Sequence, residues 1–214
     1  MEITLYYAPT ACSLVPYVTL TEANANFSVR TINLQKGQQN SADYLKLNPK
    51  HKVPLLLVDG KPLTENVAIQ IWIAHNFPKA ALLPGDRWQE LRAISMLSWC
   101  ASSVHPLLSR INAPPRVCDV PNTSDSVRRL AVEPLFENYE IAEDTLAGRE
   151  YFFDHFTAVD AHFFWCFRRG LQFELDLSKF TNCLKHHERM KSRSSFQKLF
   201  AYEKAVQAEF AKAA

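Results

Sequence analysis

Cys12 stands in the run Pro9-Thr10-Ala11-Cys12-Ser13, after an apolar and aromatic segment and just ahead of a stretch with helical spacing. A thiol at a helix N-terminus meets unpaired N–H groups and the positive end of the helix dipole, and both stabilise a thiolate. The free thiol has a pKa of about 8.5, so only a few per cent ionises at neutral pH without such help. The opposing reading is a small buried hydrophobe, and position alone leaves the two open. Val53-Pro54 joins a polar loop to a strand signal, and Pro54 removes the backbone donor at the strand's start. A cis bond there would turn the Val53 N–H and C=O outward, free to pair with an extended peptide. By base rate cis is the minority outcome, about one X-Pro bond in twenty. Thr64-Glu65-Asn66 closes a strand and opens a helix, where backbone N–H groups can hold a carboxylate. Taken alone, that pattern reads more simply as plain N-capping.

Other candidates have blander readings. Thr157-x-x-Asp160 is a capping-box variant, and its loss should cost about 0.5–2 kcal/mol. His162 with Cys166, and His186-His187-Glu188, give no complete metal-ligand set. Phe152, Phe153, Phe156, Phe163, Phe164 and Phe167 read as core. Ser102 and His105 lie on a long helical stretch, and a lone helical histidine by itself reads as structural.

The elements that must position these residues come in two kinds. Ile3 to Tyr7 reads as a strand, Pro16 to Ala25 as a helix, and Phe27 to Leu34 as a strand parallel to the first, because a helix intervenes. Ser41 to Leu47 is a short helix. Leu55 to Val58 and Pro62 to Leu63 flank Asp59-Gly60, a strong hairpin signal. Glu65 to Asn76 is a helix with Val67, Ile71 and Ala74 on one stripe. The order predicts a small mixed sheet with helices on its faces over residues 1–77. Pro78 to Asp86, with Pro78, Pro84 and Gly85, reads as a linker. Beyond it strand signals vanish. Residues 87–214 read as an all-helical domain, with helices over Arg87 to Ile111, Ser124 to Leu146, Thr157 to Arg169, Leu177 to Arg189 and Ser195 to Phe210. Pro134 should kink the second or start it afresh.

Composition closes several routes. With 24 basic and 22 acidic residues in 214, no broad footprint for nucleic acid arises. The five glycines lie too far apart to write a G-x-G-x-x-G or Walker loop. Five cysteines without a C-x-x-C pair disfavour a disulfide framework or zinc ribbon and favour a reducing, cytoplasmic setting. No signal peptide is legible, and no uncharged apolar run approaches the roughly 20 residues of a membrane span.

The pieces coincide in order and spacing with one family. The sequence resembles the cytosolic glutathione transferases, most closely the bacterial beta class. The matching stretches are Leu-Tyr-Tyr-Ala-Pro-Thr-Ala-Cys-Ser-Leu (5–14), Asp-Tyr-Leu-Lys-Leu-Asn-Pro-Lys-His-Lys-Val-Pro (43–54), Leu-Thr-Glu-Asn-Val-Ala-Ile (63–69), Ala-Ser-Ser-Val-His (101–105) and Asp-His-Phe-Thr-Ala-Val-Asp-Ala (154–161). The resemblance implies an α/β thioredoxin-like N-terminal domain, an all-α C-terminal domain, and a detoxifying transferase that uses glutathione as co-substrate without a metal. It implies Cys12 beside the glutathione sulfur, with Ser13 as a nearby catalytic donor. It implies Val53 pairing with the cysteinyl unit, Pro54 as a cis-proline, and Glu65 with Asn66 at the γ-glutamyl end. Lys36 falls near a lysine that meets the glycyl carboxylate, Lys52 flanks the Val53 pairing, and Ser102 and His105 fall on helix positions facing the site. Partners implied are a small hydrophobic electrophile and a second copy of the chain, with no nucleic acid and no membrane. The pattern departs at Thr10, Ala11, Asn66, Ser98, Pro106 and Phe153. Conjugation to the electrophile leads. Thiol-disulfide exchange through Cys12 and a non-catalytic glutathione-binding protein are the alternatives.

Overall fold

The computed structural model describes residues 1–212, which form two compact units, 1–85 with 192 onward and 86–191. The first unit is built on a four-stranded sheet. Strand β1 (Ile3–Tyr7) is followed by helix α1 (Leu14–Glu22), strand β2 (Ser28–Thr31), helix α2 (Ala42–Leu47), strands β3 (Leu55–Val58) and β4 (Lys61–Thr64), and helix α3 (Asn66–Asn76). The strand order is β2-β1-β3-β4, with β1 parallel to β2 and the other pairs antiparallel. All five residues of β1 are buried, as a central strand covered on both faces requires. Asp59 and Gly60 turn the hairpin with φ of +46° and +77°, the left-handed pair that matches strand twist. Ser41 caps α2 by accepting the Tyr44 N–H.

Helix α3 corrects one expectation. Its buried face is Asn66, Ile69, Gln70, Ile73 and Ala74, while Val67 and Ile71 are half-buried. Packing against α1 and β4 selects that row, and it carries two polar side chains inward.

The second unit is helical: α4 (Arg87–Trp99), α5 (His105–Asn112), α6 (Ser124–Thr145), α7 (Ala158–Gln172) and α8 (Thr181–Ser192). The helical stretch over 87–111, which Pro106 is expected to end or kink, is interrupted by a π-helical turn at Cys100–Val104, where the His105 N–H reaches the Cys100 carbonyl. Pro106 has no N–H to offer, and its ring would press on the carbonyl four residues back, so the turn widens. Pro134 does not begin a new helix, since α6 runs through it. Thr157 and Asp160 form the expected capping box at the head of α7. Asp160 also accepts the Phe152 N–H at 3.1 Å and meets His186 Nε2 at 3.0 Å, so this buried carboxylate joins α7, α8 and the preceding loop. Phe152, Phe156, Phe163, Phe164 and Phe167 are buried core, while Phe153 is half-buried.

The last helix, α9 (Ser194–Lys212), departs from the expected boundary at 87–214. It belongs to the first unit and packs on α1. The Arg193 guanidinium grips Glu22 through Nε at 3.0 Å and Nη2 at 2.9 Å, and Tyr202 stacks on Tyr17.

Candidate functional site

The loop between β1 and α1 is fixed from both ends. The Ser13 hydroxyl accepts the Ala8 N–H at 3.0 Å and donates to the Ala8 carbonyl at 3.2 Å. Thr10 adopts φ +61°, and its N–H donates to Glu203 Oε1 on α9 at 2.7 Å. The Tyr7 hydroxyl donates to the same oxygen at 3.3 Å. Ser13 is thus fully buried, and its hydroxyl holds the loop together.

This loop presents Cys12. Its side chain is 7% exposed, its thiol donates to the Val53 carbonyl at 3.5 Å, and its own carbonyl accepts from Asn66 Nδ2 at 3.1 Å. Burial pushes the thiol up to about 12, and the Glu65 carboxylate adds to this. The local backbone, the Lys52 ammonium and the Asn66 amide oppose the rise but do not overcome it. Burial thus opposes the thiolate that a helix terminus would favour. Helix α1 begins only at Leu14, and the lost hydration outweighs what the loop's N–H groups supply.

The Val53–Pro54 bond is cis. Strand β3 pairs from Leu55 onward, with Tyr6 on one side and Thr64 on the other, so Val53 lies beyond both ladders. Asn48 holds the preceding loop. Its Nδ2 donates to the Lys52 carbonyl at 2.7 Å and its Oδ1 accepts the Lys50 N–H at 3.1 Å. The Tyr44 hydroxyl donates to the same Lys52 carbonyl at 2.6 Å.

Glu65 sits at the β4–α3 turn with φ +74°, a conformation that costs a non-glycine residue about 1–3 kcal/mol. It makes no side-chain cap, so the plain N-capping reading fails. Its carboxylate instead accepts from Lys50 Nζ at 2.7 Å, while the same ammonium reaches Thr64 Oγ1 at 3.0 Å. Both side chains are more than half exposed, and an exposed pair of this kind contributes about 0–1 kcal/mol. That gain does not offset the strained backbone, which points to function at this turn rather than stability.

The structure thus brings together Cys12, Lys52, Val53, Pro54, Glu65 and Asn66. Lys36 lies exposed in the loop after β2, its N–H donating to Asn33 Oδ1. Ser102 and His105 belong to the second unit. Ser102 donates to the Ser98 carbonyl, and the His105 ring meets Trp165 edge-on at 4.4 Å. Sequence reasoning missed Lys50 and Glu203. Lys50 sits inside a matching stretch, but no spacing rule ties it to residue 65. Among the described residues, no group of three His, Cys, Asp or Glu is arranged to hold a metal ion, and no helix is long and apolar enough to cross a membrane.

A four-stranded sheet that sets a loop cysteine against a cis-proline turn, with a helical second unit, defines a two-unit protein with a thioredoxin-like first half. Residues 1–75 match the family described as "Glutathione S-transferase, N-terminal domain". The chain is 30% identical to glutathione S-transferase GstA of Escherichia coli O157:H7, over 93% of this chain and 98% of that one. It is also similar to the solved structure of the bacterial beta class glutathione S-transferase of Sphingomonas chungbukensis (29% identity, TM-score 0.82, covering 94% and 98%). A sphingomonad glutathione S-transferase solved in complex with glutathione matches at 27% identity with TM-score 0.82, over 94% of this chain and 98% of that one. The chain belongs to the glutathione S-transferase family.

Proposed function

We propose that this protein is a glutathione transferase that joins glutathione to small hydrophobic electrophiles, with Cys12 acting as a hydrogen-bond donor to the glutathione thiolate. The observation that carries the reading is the buried Cys12 thiol held against the Val53 carbonyl, at a strand end that lies beyond both ladders. A thiol held in its acid form donates to a neighbouring thiolate, and that thiolate attacks the electrophile. Glutathione's cysteinyl unit pairs with the Val53 main chain, as an added strand would. Its γ-glutamyl end meets Glu65 and the first N–H groups of α3.

Disulfide exchange through Cys12 needs the thiolate, and burial opposes it. The two reactions separate in one assay. With glutathione and a generic aromatic halide, the wild type conjugates. With a small mixed disulfide it shows little exchange, and Cys12→Ala retains a reduced conjugation rate. Exchange that outpaces conjugation and vanishes in Cys12→Ala would reverse the assignment.

The reading includes a cytoplasmic homodimer. Five free cysteines fit a reducing compartment. Trp88 and Leu91 of α4, 69% and 50% exposed, offer an apolar surface for a second copy. Sedimentation at micromolar concentration should give the dimer mass, and a monomer there would count against the dimer.

A further inference from the structure

We propose that Lys50 is a specificity-determining residue that works with Glu65 to read both charges at the γ-glutamyl end of glutathione. This rests on the glutathione reading above and names the charged side chain that meets the α-carboxylate.

The γ-glutamyl end is an α-amino acid, with an ammonium and a carboxylate on one carbon. Glu65 offers a partner for the ammonium only. The Asn66 side chain is buried, with one Nδ2 hydrogen spent on the Cys12 carbonyl, and the first N–H groups of α3 can meet the carboxylate but carry no full charge. The Thr64 hydroxyl accepts from the Lys50 ammonium and is itself neutral. Lys50 is the cation at this turn, 2.7 Å from Glu65 Oε1. An ammonium and a carboxylate side by side present the charge complement of an amino-acid zwitterion. On binding, one ion pair within the protein is exchanged for two with the ligand: Glu65 with the α-ammonium and Lys50 with the α-carboxylate.

The loop is prepared for this. Asn48, almost wholly buried, fixes the Lys50 N–H and the Lys52 carbonyl at once, and the Tyr44 hydroxyl holds that carbonyl again. The Lys50 backbone is therefore set before ligand arrives, while its exposed side chain is free to turn from Glu65 to the ligand. A lone carboxylate at residue 65 would bind a simple amine nearly as well as an amino acid. The added lysine makes the site select against ligands lacking the α-carboxylate.

The test is titration calorimetry on the full chain with three peptides: glutathione, γ-aminobutyryl-cysteinyl-glycine, which lacks the α-carboxylate, and glutaryl-cysteinyl-glycine, which lacks the α-ammonium. In the wild type each deletion should weaken binding about tenfold, the usual scale for one charge-assisted bond. In Lys50→Gln, glutathione itself should bind about tenfold more weakly. Deleting the α-carboxylate should then cost clearly less than in the wild type, the remainder being what the α3 N–H groups supply, while deleting the α-ammonium should still cost about tenfold. Lys50→Arg keeps the charge and should restore the carboxylate penalty. In Glu65→Ala the ammonium penalty should vanish instead. Equal carboxylate penalties in wild type and Lys50→Gln, with wild type binding glutathione normally, overturn the role of Lys50 alone. A wild type that does not bind glutathione overturns this role together with the glutathione reading beneath it.

Discussion

A thiolate at Cys12 would have to give up its hydration shell in a site where only a few backbone and amide groups replace it. That is why burial dominates, and why the thiol is pushed up to about 12. Five pH units below such a value, the thiolate fraction is about one in 10⁵. Incubating the protein with oxidised glutathione at neutral pH should therefore leave Cys12 unmodified by intact mass over hours. Cys118 differs. It is only half-buried, and a hydrogen bond with the Thr123 hydroxyl, with help from the Val120 backbone, holds its thiol below the ordinary value. Any slow adduct should map there. In the conjugation assay, Cys12→Ala removes one donor to a thiolate, a loss of about tenfold in rate. An adduct that maps to Cys12, together with abolished conjugation in Cys12→Ala, would make it a nucleophile.

At the scale of elements, α7 and α8 carry a titration. Burial pushes the His162 imidazole down to about 3, with His105 adding to the fall. Burial also pushes His187 down to about 4, against the carboxylate of Glu188 and with Lys191 and Arg168 adding to the fall. Both rings are neutral in the folded chain, while in the unfolded chain they titrate near the ordinary value of about 6.5. Between about pH 6.5 and 4 the unfolded chain therefore binds more protons, and stability falls as pH falls. Two such rings give a limiting slope of about 2.7 kcal/mol per pH unit. Urea midpoints should hold near pH 7 and drop steeply from pH 6 to 4.5, with about half that slope in His162→Gln. A flat profile down to pH 5 would refute it. The elements carrying these rings were legible because helical periodicity and the Thr157-x-x-Asp160 pattern are local. So were β1 and the hairpin, marked by an aromatic run and by Asp59-Gly60. The burial of His162, the depth of Cys12 and the Lys50–Glu65 pair were not, because each depends on which segments tertiary packing brings alongside. Pro106, which has no N–H, marks a break in the helix by its type alone, but not the π-helical form that the break takes.

For the molecule as a whole, the chain leaves the first unit after Gly85 and returns to it at Ser192. No local pattern announces that return, since the contacts that decide it span most of the sequence. Glu203 is the point where the return reaches the site. Its Oε1 accepts the Thr10 N–H, 193 residues away, and the Tyr7 hydroxyl, 196 residues away. Thr10 holds a left-handed backbone in the loop that ends in Cys12, so α9 helps to set where the thiol stands. Glu203→Ala removes a buried acceptor that two donors share, and should destabilise the chain by about 1–3 kcal/mol. Glu203→Gln keeps an oxygen in place and should recover most of that loss. The loop should respond beyond global stability. In Glu203→Ala the Thr10 amide should exchange its hydrogen markedly faster, and glutathione affinity should fall, because the loop no longer starts in its bound shape. Wild-type exchange at Thr10 and unchanged affinity in a destabilised Glu203→Ala would mean that α9 supports the fold without positioning Cys12.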